Sequence, residues 1–151
     1  MTAIAIFDLD ATLNASEDRD RTIVHPMSAA NWDAYHSAHV QDEPSNIVFM
    51  AIALQRAGYR IIILTGRNEK HYATTRRQLN NWGILPDLIL MRPDFCHEPA
   101  AKMKVRLLVQ NLSIKELASI AFVVDDHAGV CSELHEYGLT TLQVRLAKKE
   151  K

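Results

Sequence analysis

Five short apolar runs rich in β-branched residues recur along the chain, at about 3–7, 59–64, 87–91, 120–124 and 141–145, with helical patterns between them. That alternation marks a doubly wound parallel sheet, in which each strand is followed by a crossover helix. The runs are apolar nearly throughout, not at every second position, which suits strands covered on both faces. The helical stretches carry start and stop signals. Ser45 or Asn46 opens one that Gly58 closes, Asn68 opens another that Gly83 closes, a third spans about 99–111, and a fourth spans about 128–137 with Gly138 behind it. The expected fold is α/β, three layers around a mainly parallel five-stranded sheet. With 151 residues, 48% of them hydrophobic, and no internal repeat, the chain has the material for one domain over 1–151.

One stretch breaks the alternation. Residues 13–44 separate the first run from its crossover helix and are polar, with Glu17-Asp18-Arg19-Asp20-Arg21 followed by Trp32-Asp33-Ala34-Tyr35-His36. A βα loop usually takes about 2–6 residues. The excess is expected to form a small flap with one short helix over the carboxyl ends of the strands, where open α/β sheets bind their ligands.

Four of the apolar and helical stretches carry residues that belong together chemically: Phe7-Asp8-Leu9-Asp10-Ala11-Thr12, Leu64-Thr65-Gly66-Arg67, Lys104 and Val124-Asp125-Asp126. Folding a parallel sheet brings the strand ends to one edge, and so gathers four acids. Like charges about 4 Å apart repel by roughly 4 kcal/mol at an effective dielectric near 20, so the cluster calls for a cation. Oxygen donors without His or Cys beside them suit Mg²⁺, which is commonly held by carboxylates together with phosphate oxygens of a substrate. Asp8 and Asp10, two positions apart after a strand, can face one pocket; the first can attack phosphorus and the second can serve as acid and base. Thr65, Gly66 and Arg67 offer a hydroxyl, a backbone N–H and a cation to phosphate oxygens. Each piece alone also has a plainer reading: Asp-Leu-Asp as a turn or cap, Thr-Gly as a strand-to-helix turn, Asp126 as a helix cap.

In order, Asp8-Leu9-Asp10-Ala11-Thr12, Thr65, Lys104 and Asp125-Asp126 resemble the four motifs of the haloacid dehalogenase phosphohydrolase superfamily. The resemblance implies a Rossmannoid fold with a flap-type cap after the first strand. It also implies Asp8 as the nucleophile that becomes an aspartyl phosphate, Asp10 as general acid and base, and Thr65 and Lys104 as holders of the phosphoryl group. Mg²⁺ would be ligated by Asp8, the Asp10 carbonyl and Asp125, with Asp126 acting directly or through water. Lys102 competes with Lys104 for the third motif; family spacing favours Lys104.

Trp32-Asp33, Asp42-Glu43-Pro44, Gly58-Tyr59, Leu64-Thr65-Gly66-Arg67, Thr75, Trp82 and Met91-Arg92-Pro93 are similar to the 3′-phosphatase domain of bacteriophage-type polynucleotide kinases and its free-standing relatives, over about 4–145. That similarity implies substrate phosphate bound by Arg67 and Arg92, with Arg19 or Arg21 assisting from the flap; as surface residues these arginines could equally sit in ion pairs. Trp32 and Tyr35 could stack on a base or pack the flap. Two departures stand out: Ala11 replaces the family's usual glycine, which would strain the turn if φ is positive there, and Ala100 and Ala101 replace an aspartate that supports the lysine.

The function implied is a Mg²⁺-dependent phosphomonoesterase for nucleic-acid 3′ ends or nucleotides. The alternatives are a small-molecule phosphatase such as a 5′-nucleotidase, or a silent phosphate-binding module. No GxxxxGK[ST] loop occurs, so phosphorylation of 5′ ends is not expected. A net charge of −1 argues against a broad footprint for duplex nucleic acid or an anionic membrane, and no apolar stretch is long enough to span a bilayer. Cys96 and Cys131, far apart, are expected as reduced thiols in a cytoplasmic setting. The seven histidines show no metal spacing and are expected to be mostly exposed, with His127 nearest the acids.

Overall fold

The computed structural model describes residues 2–15 and 27–148. Five strands, β1 (Ile4–Phe7), β4 (Arg60–Asn68), β5 (Leu88–Arg92), β6 (Ile120–Asp125) and β7 (Thr141–Gln143), form one parallel sheet in the order β5-β4-β1-β6-β7. Two further strands, β2 (Asn14–Ala15) and β3 (Glu43–Pro44), pair antiparallel in a ladder of their own. The helices are α1 (Ala29–Ser37), α2 (Ile47–Arg56), α3 (Tyr72–Asn81), α4 (Ala100–Asn111), α5 (Ile114–Ala118) and α6 (Ala128–Glu136), with 3₁₀ turns at Ala38–Gln41 and Glu69–His71.

Side-chain direction alternates along each strand and divides the core in two. Ile4, Ile6, Ile62, Leu64 and Val123 pack with Met103, Leu107 and Leu108 of α4 and Val130 and Leu134 of α6. Ala5, Phe7, Ile61, Ile63 and Val124 pack on the other side with Val48 and Ala51 of α2 and Leu79 of α3. This is why the strand sequences read as continuous apolar runs. The chain moves outward from β1 through β4 to β5 and then returns to β6 on the other flank of β1. Strand order therefore reverses between β1 and β6, and the crevice outside their carboxyl ends is the place where such sheets bind ligands.

The expected three-layer architecture is present, with local differences. β4 continues past residue 64 to Asn68, because the β4–β5 register jumps from Thr65↔Met91 to Asn68↔Arg92 and leaves Gly66 and Arg67 in a bulge. Bulges of this kind re-aim side chains near sites. α5 is an element the apolar pattern did not reveal, although Ser113 and Glu116 form a reciprocal capping box at its start. The histidine expectation fails at His39, which is buried among the flanking segments. Among the described residues, no helix is long and apolar enough to cross a membrane.

Candidate active site

Asp8 directly follows β1, and its backbone N–H donates to the Val124 carbonyl of β6 (2.8 Å), fixing the two acid-bearing strand ends side by side. Its carboxylate is held from two directions: Oδ2 accepts from Thr12 Oγ1 (3.1 Å) and Oδ1 from Lys104 Nζ (2.9 Å). Lys104 also donates to Asp125 Oδ2 (2.6 Å). It is 3% exposed, whereas Lys102 faces solvent, so Lys104 is the lysine of the site. α4 presents it because Met103, Leu107 and Leu108 on the same helix are packed into the core.

The acids remain crowded. Burial, then Asp8 and Asp125, push the Asp126 carboxyl up to about 8; burial and Asp8 likewise raise Asp125 against the pull of Lys104. Burial opposes the charge of Lys104, but Asp8 and Asp125 more than offset it and hold the ammonium above its ordinary pKa. Oxygens of Asp8, Asp125 and Asp126 lie within 4.8 Å of one another. A trio of hard oxygens with more negative charge than one lysine balances fits a divalent cation such as Mg²⁺. Asp126 does not cap α6; that position falls to His127, whose Nδ1 accepts from Val130 N (3.2 Å) while its own N–H donates to Asp125 Oδ1 (2.9 Å). His127 thereby orients Asp125 through the backbone.

The Asp10 side chain stands apart from that trio. Its Oδ1 accepts from Arg67 Nη2 (2.7 Å) and Asn14 Nδ2 (3.1 Å), and Asn14 also donates to Asp42 Oδ2. Arg67 is fully buried, delivered inward by the β4 bulge, and its Nη1 donates to Thr75 Oγ1 (2.9 Å) and Gln78 Oε1 (3.3 Å) of α3. The guanidinium is thus committed largely to protein partners. Asn14 and Gln78 are parts of this network that lie outside the sequence motifs; an amide four residues after Asp10 is the one sequence signal for Asn14. Between the two groups, Thr65 Oγ1 accepts from Arg67 N (3.0 Å), which leaves its hydroxyl proton for an incoming oxygen.

Arg92, at the end of β5, donates from Nε to the Gly66 carbonyl (3.2 Å) and from Nη1 to the Cys96 and Glu98 carbonyls (3.2 and 2.7 Å). Asp8, Asp10, Thr65, Gly66, Arg67, Arg92 and Asp126 all line one cavity of about 840 Å³. Trp32 and His36 of α1 line it too, with their rings stacked at 5.9 Å. Tyr35 also borders it but is largely buried, and it meets Trp32 edge-on at 5.6 Å, which braces the Trp32 ring. Arg19 and Arg21 lie outside the described residues. Behind the cavity His39 is pushed down to about 4 by burial and by Arg67, and is therefore neutral.

Ala11 follows Asp10 with φ +63°, the left-handed conformation that a Cβ disfavours. Leu9's carbonyl accepts from the N–H groups of Thr12, Leu13 and Asn14 (3.1, 2.9 and 3.2 Å), which ties the turn and holds Ala11 in that conformation.

A doubly wound sheet with an acid cluster at its switch point is the fold of haloacid dehalogenase-like proteins, and solved structures share that fold. A haloacid dehalogenase-like hydrolase from Streptococcus pneumoniae superposes with a TM-score of 0.61 at 14% identity, over 94% of this chain and 84% of that one. Protein tyrosine kinase A of Mycobacterium tuberculosis gives 0.68 at 19%, over 99% and 86%. Within that class the chain belongs to the family of polynucleotide kinase PNKP phosphatase domains, whose model matches residues 2–148. A chain from the Pnkp1/Rnl/Hen1 RNA repair complex gives a TM-score of 0.77 at 25% identity, over 95% of this chain and 42% of that one. The chain thus spans less than half the length of that relative. No curated protein matches it by sequence.

Proposed function

We propose that this domain is a Mg²⁺-dependent phosphomonoesterase that removes 3′-phosphates from nucleic-acid ends or nucleotides through an aspartyl phosphate. The observation that carries the reading is the division of labour between Asp8 and Asp10: one carboxylate is held by Lys104 and Thr12, the other by Arg67 and Asn14, and both line one cavity. An Asp8 oxygen attacks phosphorus, and the bond to the leaving oxygen breaks as Asp10 gives that oxygen its proton. Asp10 then takes a proton from water, whose oxygen attacks the same phosphorus and releases phosphate and free Asp8. Thr65, Lys104 and the Nη2 of Arg92 serve the phosphoryl oxygens. Arg67 acts chiefly by positioning Asp10. Asp8, Asp125 and Asp126, with the Asp10 carbonyl, would hold Mg²⁺, which when bound would neutralise charge building on the phosphoryl oxygens.

Membership of the polynucleotide kinase phosphatase family supports nucleic-acid ends as substrates, as does the likeness to a chain of an RNA repair complex. Residues 13–44 serve as a minimal flap: the β2–β3 ladder ties its two ends together, and α1 brings Trp32 to the cavity. The test is phosphate release from 3′-phosphorylated oligonucleotides, 3′- and 5′-mononucleotides and sugar phosphates, with Asp8→Asn as control. Highest kcat/KM on the 3′-phosphorylated substrates is expected. Preference for sugar phosphates would replace this reading with the small-molecule phosphatase, and an active Asp8→Asn protein would remove the covalent step.

A further inference from the structure

Phe95 is a large apolar side chain left 88% exposed, and it lines the same cavity as Asp8 and Asp10. Its φ is +62°, a left-handed conformation that is a genuine outlier for an aromatic residue and that persists only where neighbours impose it. The neighbours do so here. Asp94 Oδ1 accepts from Asn68 Nδ2 and from Phe95 N (both 3.1 Å), and Asp94 N donates to Glu69 Oε1 (3.1 Å). On the other side Cys96 N donates to the Pro93 carbonyl (3.1 Å), and Arg92 grips the Cys96 carbonyl (3.2 Å). The backbone on both sides of Phe95 is therefore pinned while the ring itself is uncovered. A ring held in a strained conformation with its apolar surface open to the catalytic cavity is prepared for a flat apolar face such as that of a nucleobase.

We propose that Phe95 is the platform on which the base of the terminal nucleotide stacks, an inference that rests on the nucleotide reading above. Arg92 stands three positions earlier and holds the same loop, so the residue offered to the phosphate and the residue offered to the base move as one unit. Phosphate and base are then registered against each other, and the terminal base must leave the stack of its neighbours to reach Phe95. Recognition of this kind is tolerant of base identity, because every base has a π-face.

The experiment compares kcat/KM on a 3′-phosphorylated single strand ending in a normal nucleotide with the same strand ending in an abasic residue, for the wild type, Phe95→Ala and Phe95→Tyr. A second readout is the rise in fluorescence of a terminal 2-aminopurine as it leaves its neighbouring bases when the strand binds protein carrying Asp8→Asn, with and without Phe95→Ala. The wild type is expected to prefer the base-bearing end about tenfold, Phe95→Tyr to keep that preference, and Phe95→Ala to lose both the preference and the rise. A preference and a fluorescence rise that survive Phe95→Ala would overturn the proposal. If the wild type hydrolyses both oligonucleotides well and equally, base stacking fails while the 3′-phosphatase reading stands. If it cleaves sugar phosphates and neither oligonucleotide, that reading fails and takes this one with it.

Discussion

Replacing Lys104 by Met should reveal how much of the domain's stability depends on compensating the acids. Met matches the stem of Lys in volume and keeps the contacts of α4 with the core, so the main loss is the ammonium. That group lies 2.9 Å from Asp8 and 2.6 Å from Asp125, with all three side chains buried. Its removal leaves two carboxylates facing each other, with Asp126 close by. At an effective dielectric near 20 a like-charge pair at about 4 Å costs roughly 4 kcal/mol, in line with the 3–5 kcal/mol typical of breaking one partner out of a buried ion pair. For a chain of this size each kcal/mol moves Tm by about 2–4 °C, so metal-free Lys104→Met should melt on the order of 10 °C below the wild type. Millimolar Mg²⁺ should restore a larger share of Tm in the variant than it adds to the wild type, while turnover stays lost. Thermal melts in EDTA and in Mg²⁺ measure both. A variant that melts within a degree or two of the wild type in EDTA would refute the argument, because the acids would then not need the lysine.

Asp125 and Asp126 titrate above their unfolded values, so between pH 4 and about 8 the folded state binds more protons than the unfolded one. Metal-free stability should therefore fall as pH rises through that window, and Mg²⁺ affinity should rise over the same range; melts at pH 5, 7 and 9 with and without Mg²⁺ check both, and a flat metal-free profile would count against the crowding. Ala11→Gly should relieve the φ of +63° and raise stability by about 0.5–1 kcal/mol, since the left-handed penalty of about 1–2 kcal/mol exceeds the entropy that glycine adds to the unfolded chain. Denaturant titration decides, and a lowered midpoint at unchanged slope would mean that the turn is not strained. Asp10→Asn should be severe on nucleotides and milder on aryl phosphates, whose leaving groups need little proton; equal losses on both would deny Asp10 the role of acid.

The acids were legible because each ends an apolar run, and a parallel sheet has one edge where such ends can meet. Spacing distinguishes Lys104 from Lys102, and Lys104 is the one that the fold buries between Asp8 and Asp125. Arg67 was harder. An arginine after Thr-Gly reads as a phosphate ligand or a surface cation, whereas the β4 bulge turns it inward to Asp10, 57 positions away in sequence. No local pattern announces a bulge, so the apolar run alone ends the strand at residue 64, whereas β4 runs to Asn68. Asp126 and His127 show the same limit in miniature: Asp is the stronger capping residue by propensity, yet crowding with Asp8 and Asp125 claims it and the cap passes to His127. α5 is too short to show an apolar face, and its capping box was its one signal. The conformation of Phe95 is set by Asp94, Asn68, Glu69 and Arg92 together, a tertiary arrangement that no single window of sequence contains.

The β2–β3 ladder has a consequence for how such a domain can change. Asn14 pairs with Pro44 and Ala15 with Glu43, and the Asn14 side chain also bridges Asp10 and Asp42. Chain entering and leaving residues 16–42 is thus fastened at its base, next to the acid, whatever its length beyond. Closing a loop twice as long costs only about 0.6 kcal/mol more. This is the point at which the domain could accept an insertion of a different size while Asp8 and Asp10 keep their places.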